Sequence, residues 1–434
     1  MFCCFSLRVA RIAGVTVLGA AALTMAAAPT YASTKVCDAR SYGAKADGVT
    51  KSTAAIQRAI DTCAAARHGG TVVLSGGVFV SAPLVLKSHV KLRIDKGATL
   101  LGSPDHADYP RKTEFRAPGF QSLLSATDAE DVSIVGKGVI DGAGKSWWDA
   151  VRGTKDAGLL GSTNTRPRLI VFDHCKHVLL EGVTIQNSPY WQVVPYDSDD
   201  VTIRHVRITA DEHSPNTDAI DPFSSSNVVI DHVYSDVGDD NIAIKSGMIG
   251  SPGPDAPSRN IAITDCEFAH GHGLSIGSEL SGGAQNIHAQ RIHFHGTDNG
   301  VRVKSNRDRG NDIGNITFED ITMENVKVSI LISEYYPRAL PEGEVTPADV
   351  QRLTPLFHDI TIKNLRSVDS DWAGVVIGLP ESLVKKVTME NVSIQAKKGL
   401  QIAYAEVTGS HVSVTAAEGK NITVAPNAKV ELKD

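Results

Sequence analysis

The sequence predicts an all-β fold, a right-handed parallel β-helix with a short capping helix at its N-terminal end. Short β-branched runs recur from about Val132 onward, and apolar residues alternate within them, as in Val201 to Ile208. Such alternation is typical of strands with one buried face. Successive runs begin roughly 23 to 33 residues apart, a period that indicates a solenoid. The two-residue hairpin turns that an antiparallel barrel or sandwich would need are scarce.

One helix is predicted before the repeats, over Ser52 to Ala66. Ser52 is the expected N-cap and Gly69-Gly70 the expected stop signal. Because a solenoid is open at its ends, a helix here would cover the end of the core. The apolar residues of this segment recur at helical spacing, at Ala55, Ile56, Ala59, Ile60 and Cys63.

The first 32 residues have the pattern of a secretory signal peptide. Arg8 and Arg11 form its positive region, Ile12 to Ala28 form its apolar region, and small residues follow at the expected cleavage site. The pattern favours cleavage over a retained membrane anchor, because the chain becomes polar directly afterwards. We therefore expect a secreted protein whose mature chain, residues 33–434, is one β-helix domain.

Charge and hydropathy argue against two classes of protein. The formal net charge is −6, and it becomes more negative without the two arginines of the signal peptide. This argues against a nucleic-acid-binding protein, whose affinity comes from neutralising phosphates. No later stretch approaches the ~20 apolar residues of a membrane helix. A polyanionic ligand would need a locally positive surface, and only the region of Arg302 and Lys304 suggests one.

Four cysteines remain after removal of the signal peptide. Cys37 and Cys63 bracket a turn and the predicted helix, and export permits a disulfide between them. Cys175 and Cys266 lie beside strands and are expected to pack in the core as small apolar residues. No Cys/His spacing resembles a zinc site, so the sequence predicts no metal.

Four polar clusters interrupt the repeats and carry the chemistry. Each cluster alone could have a purely structural role, such as an aspartate that caps a turn or a basic pair that faces solvent. In this order and at repeat-length gaps they indicate a site that binds an acidic sugar and cleaves its glycosidic bond. The clusters are Asn216-Thr217-Asp218, Gly238-Asp239-Asp240, Gly271-His272-Gly273 and Arg302-Val303-Lys304.

The carboxylates are expected to share one cleft. Asp218 and Asp239 lie about one solenoid turn apart, so the pattern predicts that they stack, and Asn216 can face the same way. Asp239 and Asp240 are adjacent and would face opposite sides of a regular strand, unless the backbone bends at Gly238. Because clustered carboxylates repel one another, one of them should hold a proton near neutral pH. That separates an acid from a base, as glycoside hydrolysis requires.

The imidazole and the cations suit the same cleft. His272 lies between two glycines that allow close approach of backbone or ligand, and it could tune the proton affinity of the acid. His270, two positions earlier, could be confused with it. Arg302 and Lys304 alternate around Val303, so both side chains should emerge on one face of a strand. Two cations on that face would recognise the carboxylate of a uronic acid.

The clusters closely resemble the motifs of the polygalacturonase family of pectin-cleaving glycoside hydrolases, and of bacterial endo-polygalacturonases in particular. Val303 and Ala219 replace an isoleucine and a glycine that the family usually has, and neither change removes a functional group. Tyr42 to Gly48 resembles the N-terminal signature of the family, and Ser275 to Glu279 resembles bacterial members. The resemblance extends from about Cys37 to at least Tyr336.

The resemblance implies that residues 33–434 form a pectinase domain, which hydrolyses α-1,4-linked galacturonic acid with inversion and without metal or cofactor. By motif, Asp239 would be the general acid and Asp218 and Asp240 would activate the attacking water. His272 would support the acid. Inversion would separate the carboxyl groups by about 6.5–9.5 Å.

The resemblance also assigns the substrate contacts. Arg302 and Lys304 would hold the galacturonate carboxylate, while Asn216 and Tyr336 would contact sugar. Tyr336 is preferred over Tyr335 by its place after an apolar run. The expected partner is polygalacturonate or pectin, acted on by a secreted, monomeric enzyme that cuts within the chain.

Four alternatives stay open at this point. An exo-polygalacturonase would release monomers or dimers from chain ends. A rhamnogalacturonan hydrolase would tend to lack the histidine and Arg-x-Lys clusters, both of which are present. A pectate lyase would depend on calcium and give an unsaturated product. A non-catalytic solenoid would only bind polysaccharide, and would be indifferent to replacement of Asp239.

Overall fold

The computed structural model describes residues 35–114, 117–156, 166–247 and 256–433. The expected signal peptide, residues 1–32, lies outside these described residues. Within the described ranges, no helix has the length and apolar character needed to cross a membrane. This part of the chain consists mainly of short strands joined by turns, with α-helices at Thr53–Ala64 (α1) and Lys145–Asp156 (α2) and 3-10 turns at Ala39–Tyr42 and His106–Asp108.

The strands are numbered in chain order. Those before α2 are β1 (Lys35–Asp38), β2 (Asp47–Lys51), β3 (Gly70–Leu74), β4 (Gly77–Ser81), β5 (Leu84–Val85), β6 (Val90–Ile94), β7 (Ala98–Gly102), β8 (Arg111–Glu114), β9 (Ala117–Phe120), β10 (Leu124–Thr127), β11 (Glu130–Gly136) and β12 (Val139–Asp141). Those between α2 and residue 247 are β13 (Ile170–Asp173), β14 (Lys176–Glu181), β15 (Thr184–Gln186), β16 (Val193–Tyr196), β17 (Asp199–Arg204), β18 (Arg207–Thr209), β19 (Ser226–Asp231), β20 (Tyr234–Asp236) and β21 (Ile242–Ile244). The rest are β22 (Ser258–Ala269), β23 (Leu274–Gly277), β24 (Ala284–His295), β25 (Asn299–Lys304), β26 (Asp312–Glu324), β27 (Val328–Ser333), β28 (Leu356–Ile377), β29 (Val384–Ala403), β30 (Ala405–Val424) and β31 (Lys429–Lys433).

Apart from the antiparallel pair of β8 and β9, these strands pair in parallel and form three sheets along the solenoid. The first sheet contains β3, β6, β11, β14, β17 and β19 and continues through the first halves of the long strands β22, β24 and β26. The second contains β4, β7, β12, β15, β18 and β20 and continues through their second halves. The third contains β10, β13, β16, β21, β23, β25 and β27, with residues 220–223 bridging β16 and β21. The predicted right-handed parallel β-helix is therefore confirmed.

Inward side chains stack in register from one turn to the next and form the core. The alternation seen in the sequence puts every second residue of a strand inside, and each fully buried aliphatic side chain contributes about 1.5–3 kcal/mol. One such row of the first sheet, buried throughout, runs through Leu92, Ile134, Leu180, Ile203, Ile230 and Ile263.

Asparagines that precede apolar runs in the sequence form a ladder along the solenoid. Asn227, Asn260, Asn286 and Asn315 all have φ near +55°, a left-handed conformation that asparagine adopts more readily than most residues. The side-chain amide of each of the last three donates to the Oδ1 of the preceding member, at 3.0, 2.6 and 3.3 Å. The repeated asparagine therefore marks the bend by which each turn enters the first sheet.

Helix α1 packs against β1, β3, β5 and β6 and covers the N-terminal end of the core, as predicted. Its buried residues are those expected from the helical spacing. One detail differs. The Ser52 hydroxyl makes no hydrogen bond to the helix and instead donates to the carbonyl of Lys45, at 3.0 Å. The helix ends at Ala64, before the expected glycine stop.

Helix α2 is an element that the sequence analysis did not predict. Trp147, Trp148 and Val151 are buried, and the Trp148 Nε1–H donates to the Ser188 carbonyl across 3.0 Å. The apolar residues recur over only one helical turn, which is too short for a clear periodicity. Tertiary packing of the two indoles supplies the stability that the local pattern lacks.

The cysteines divide into a linked pair and two free thiols. Cys37 of β1 and Cys63 of α1 form a disulfide, with Cα atoms 6.2 Å apart. The bond ties the capping helix to the first strand. Cys175 and Cys266 are free, buried, and part of the main apolar core.

Candidate active site

The four polar clusters meet on the outer face of the third sheet. Register places Asp218, Asp240 and His272 at equivalent positions of successive turns, because Ile220 pairs with Ile242 and Ile242 with Leu274. The expected stacking of Asp218 with Asp239 is therefore wrong by one residue, and Asp240 is the partner in register.

Asp239 and His272 are partly exposed, unlike the buried Asp218 and Asp240. The His272 Nδ1 lies 3.0 Å from Asp239 Oδ1, and the Asn216 amide donates to Asp239 Oδ2 across 3.3 Å. Burial acts to raise the pKa of Asp239, but the hydrogen bond and charge of His272 outweigh it and lower that pKa. Burial disfavours the charged imidazole of His272, but the hydrogen bond and charge of Asp239 outweigh burial and raise the pKa of His272. The pair therefore holds one proton between its two members.

Asp240 is fixed as an anion. Its Oδ2 accepts from Lys304 Nζ at 2.7 Å, and its Oδ1 accepts from Arg302 Nη1 at 3.4 Å and from the Ser275 hydroxyl at 2.8 Å. Although burial opposes ionisation, Lys304 and Arg302 hold the pKa of Asp240 well below its usual range. Arg302 and Lys304 do emerge on one face, as the alternation around Val303 predicts.

Asp218 differs from Asp239 and Asp240 in having a raised pKa. It is buried, and its Oδ1 has no hydrogen-bond partner among the described residues. Burial, followed by the negative charges of Asp239 and Asp221, raises its pKa well above the usual value. The pKa values of the carboxyl groups thus differ, as expected, but burial of Asp218 and the cations beside Asp240 contribute more to the difference than repulsion between carboxylates.

Glycines let these segments approach closely. A Cβ on Gly238 would lie 2.2 Å from the Ser214 carbonyl oxygen, and φ of Gly238 is not positive. The backbone does bend at Gly238 and Asp239, as expected, and Gly238 also allows this close contact with Ser214. Gly273 has φ +85°, and a Cβ there would lie 1.9 Å from the Asn299 carbonyl oxygen. A side chain at Gly273 would therefore displace β25 from His272.

The predicted sugar contacts lie at the edge of the cluster. The Tyr336 ring is 5.4 Å from Lys304 Nζ, whereas the Tyr335 hydroxyl turns away to donate to the Gly378 carbonyl, at 3.1 Å. This geometry agrees with the preference for Tyr336. His270 also points elsewhere, with its Nδ1 3.0 Å from Asp236 Oδ1.

Several site residues were missed by the sequence analysis. Lys245 lies within 3.6 Å of the carboxylates of both Asp218 and Asp221. The buried Arg166 donates to Asn216 Oδ1 across 2.7 Å, and Asp298 lies 3.4 Å from His272 Nε2. Lys245 could have been found from the sequence, because it is a charged residue directly after the apolar run of β21. The other two contacts join distant segments, and no local pattern indicates them.

Two groups of described residues bring three ligand-type atoms within 4.8 Å of one another. One is Asp239, Asp240 and His272 in the site, and the other is His205, Asp231 and His232 on the outside of the solenoid. In the first group, Lys304 and Arg302 already neutralise Asp240, and their positive charges would repel a metal ion. Catalysis without metal therefore stays a prediction that this donor set supports.

A parallel β-helix that presents an acid–base cluster beside two cations on one sheet face defines a glycoside hydrolase. The chain belongs to glycosyl hydrolases family 28, whose family model matches residues 67–416. It is 34% identical over 377 residues to an endo-polygalacturonase of Pectobacterium carotovorum subsp. carotovorum, a match that covers 82% of this chain and 87% of that protein.

Two solved structures extend the comparison. The hyperthermoactive exopolygalacturonase from Thermotoga maritima has a TM-score of 0.71 and 28% identity, with 92% of each chain covered. The polygalacturonase from Erwinia carotovora ssp. carotovora has a TM-score of 0.63 and 26% identity, with 91% of this chain and 97% of that chain covered. The family and the fold predicted from the sequence are both confirmed.

Proposed function

We propose that this enzyme hydrolyses the α-1,4 bonds between galacturonic acid residues of polygalacturonate and pectin. The observation that carries the proposal is the placement of two cations, Arg302 and Lys304, beside the carboxylates of the acid–base cluster. A neutral polysaccharide offers such cations only hydroxyl and ether oxygens, whereas each galacturonate residue offers a carboxylate, which binds them more strongly. The names of the related proteins support the same substrate.

Asp239 is the proposed general acid. It is more exposed than Asp218 or Asp240, so a glycosidic oxygen can reach it, and His272 can resupply its proton across 3.0 Å. In the transition state the C1–O4 bond breaks while the acid proton passes to the leaving oxygen. The low pKa of Asp239 in the free enzyme means that the proton rests on His272 until sugar displaces solvent from the pair.

Asp218 and Asp240 are the proposed activators of water. Water forms the new bond to C1 and gives its proton to a carboxylate, so one proton enters and one leaves in each turnover. Asp240 is the weaker base because Lys304 and Arg302 stabilise its anion. Asp218, with its raised pKa, is the stronger proton acceptor once ionised. Asp218 therefore takes the proton, and Asp240 orients the water.

Inversion at C1 is part of the proposal, although one distance departs from the expectation. A carboxylate oxygen of Asp239 lies within 4.8 Å of one of Asp240, which is shorter than the about 6.5–9.5 Å typical of an inverting acid and base. Proton NMR of the first products tests inversion, since inversion of an α-linkage gives the β-anomer first.

Internal cleavage by a secreted, monomeric enzyme completes the proposal. The 34% identity to an endo-polygalacturonase supports internal cleavage. The likeness to an exopolygalacturonase structure keeps cleavage from chain ends as the alternative. The N-terminal pattern of residues 1–32 supports secretion. Culture fractionation and sedimentation test these last two points directly.

Product analysis on polygalacturonate tests the function. We expect a fast fall in viscosity, mixed oligomers, and activity that is unchanged by a chelator. Monomers or dimers from the start would replace endo by exo cleavage. An unsaturated product that absorbs ultraviolet light and a loss of activity with chelator would identify a lyase and overturn the proposal.

A further inference from the structure

A buried lysine that the proposed reaction does not use lies beneath the carboxylates. Lys245 directly follows β21, and only 5% of its side chain is exposed. Its Nζ lies 3.6 Å from Asp218 Oδ2, 3.6 Å from Asp221 Oδ1 and 3.5 Å from Glu279 Oε2. A buried cation is costly unless anions surround it, so these carboxylates stabilise the position of the ammonium group.

The three carboxylates around Lys245 differ in how firmly they stay ionised. Burial opposes ionisation of Glu279, but Lys245, followed by Lys304, lowers its pKa. Asp221 is fully buried, and neither of its oxygens has a hydrogen-bond partner among the described residues. Burial raises the pKa of Asp221 to about 7. Glu279 is therefore ionised more readily than Asp221, and Asp221 and Asp218 share the electrostatic stabilisation that Lys245 provides.

Other segments bring further charged groups near this cluster, and Lys245 is the lysine whose ammonium group lies beside Asp218. The Trp191 ring lies 4.8 Å from Lys245 Nζ and closes one side of it. Arg302 and Lys304 are committed to Asp240. Other titratable or charged groups that interact with Asp218, Asp221 or Lys245 are Asp239, Asp240, Arg166, Arg168, Tyr190, Lys304 and Tyr336.

We propose that Lys245 is a positioning residue for the hydrolysis: its ammonium group keeps Asp218 available as the base, and Asp221 opposes it. The inference rests on the proposed function, because it concerns the base of that reaction. Lys245 touches no reacting atom and acts through Asp218. Its charge and that of Asp221 must therefore move the same ionisation in opposite directions, which a purely structural role would not do.

The pH dependence of kcat/KM on polygalacturonate tests this prediction. Loss of a positive charge 3.6 Å from Asp218 favours its protonated form, so Lys245→Met should move the acid limb up by at least about one pH unit. Asp221→Asn removes a nearby negative charge and should move the limb to lower pH. The double variant should lie between the two single variants. Lys245→Arg keeps the charge and serves as the matched control, with the limb near its wild-type position.

An unmoved acid limb in folded Lys245→Met would overturn the inference, as would a shift of both single variants in one direction. Circular dichroism and thermal melting report the fold. If Lys245→Met fails to fold, the test rests on Asp221→Asn. An acid limb of kcat/KM that does not move to lower pH in Asp221→Asn would then overturn the inference.

A second readout does not depend on turnover. ¹³C NMR of protein labelled at the aspartate carboxyl carbons, with Asp218→Asn to assign the resonance, should give the same order of titration midpoints for Asp218. If wild-type enzyme shows no turnover of polygalacturonate, the proposed function fails while this titration still tests the lysine. Equal midpoints in wild type, Lys245→Met and Asp221→Asn would refute the role of Lys245.

Discussion

Lys304 Nζ lies 2.7 Å from Asp240 Oδ2 in a buried pair, so the cation expected to hold the sugar carboxylate is already bound to a carboxylate of the enzyme. In the proposed reaction, an incoming galacturonate would share this ammonium group with Asp240. Lys304 would then link substrate binding to the charge state of a carboxylate beside the attacking water.

Replacement of Lys304 should affect affinity and ionisation together. Lys304→Ala removes a charge-assisted hydrogen bond to substrate, which corresponds to a rise in KM of about 10-fold or more. It also leaves Asp240 with Arg302 alone, which should raise the pKa of Asp240. Steady-state kinetics on oligogalacturonates would measure the change in KM, and ¹³C NMR of protein labelled at the aspartate carboxyl carbons would measure the change in pKa. Lys363→Ala, on the first sheet, is the control, and unchanged affinity in Lys304→Ala would count against the binding role.

Asp239 should be indispensable for turnover. Asp239→Asn cannot donate the acid proton, so kcat should fall at least ~100-fold while the fold stays intact. Rates on polygalacturonate, with circular dichroism on the same sample, provide the measurement. Asp236→Asn is a matched control, because Asp236 belongs to the second sheet and bonds His270. Retained activity of Asp239→Asn would contradict the assignment of Asp239 as the general acid.

His272 should determine the basic limb of the pH profile. Its folded-state pKa is raised, so the proton of the Asp239–His272 pair is kept at low pH and lost as pH rises through that value. In His272→Ala, the proton is held by a carboxyl group alone, and the basic limb should move to lower pH. The same profile measured for His270→Ala should match wild type. A basic limb that stays in place in His272→Ala would show that the imidazole does not hold this proton.

Arg166 should act on sugar binding through Asn216. Its guanidinium donates to the Pro189 and Pro215 carbonyls and to Asn216 Oδ1, a fork that an ammonium group cannot reproduce. Arg166→Lys should therefore raise KM by about 10-fold and change kcat less. Kinetics of Arg204→Lys, far from the site on β17, provide the comparison. A drop in kcat alone would assign Arg166 to the chemistry.

Removal of the Cys37–Cys63 disulfide should lower stability and spare the chemistry. A cross-link of this span, 26 residues, stabilises a protein by about 3 kcal/mol through the unfolded state. Urea unfolding of the double serine variant should show this loss, while kcat of the folded variant stays at the wild-type value. Reductant should destabilise wild type to the same extent and leave the variant unchanged; an equal response of both would argue against the pairing.

Much of the fold was readable from the sequence because its signals are local. Alternation within Val201 to Ile208 reports one buried face, and the repeat period reports the length of a turn. Helix α2 was not predicted because its apolar face consists only of Trp147, Trp148 and Val151, and because packing against Ser188 stabilises it.

The sequence predicted which residues form the candidate site, but not which of them are neighbours in register. The four clusters contain the residues that the structure brings together, including His272 rather than His270. The register is a tertiary property, since it depends on the lengths of all the intervening turns. It is register that places Asp240 beside Asp218, and Lys245 two turns from Lys304 at the same strand position.

The sequence by itself determined a β-helix with three aspartates, a histidine and two cations on its repeats, because periodicity and side-chain chemistry are properties of short segments. Only the tertiary structure decided which carboxylate each cation neutralises and which carboxyl group has its pKa raised by burial. Those outcomes depend on distances of a few ångströms between turns and on exclusion of water, and electrostatic energies change steeply with both. Asp218, Asp239 and Asp240 are chemically identical in the chain and differ only through their surroundings.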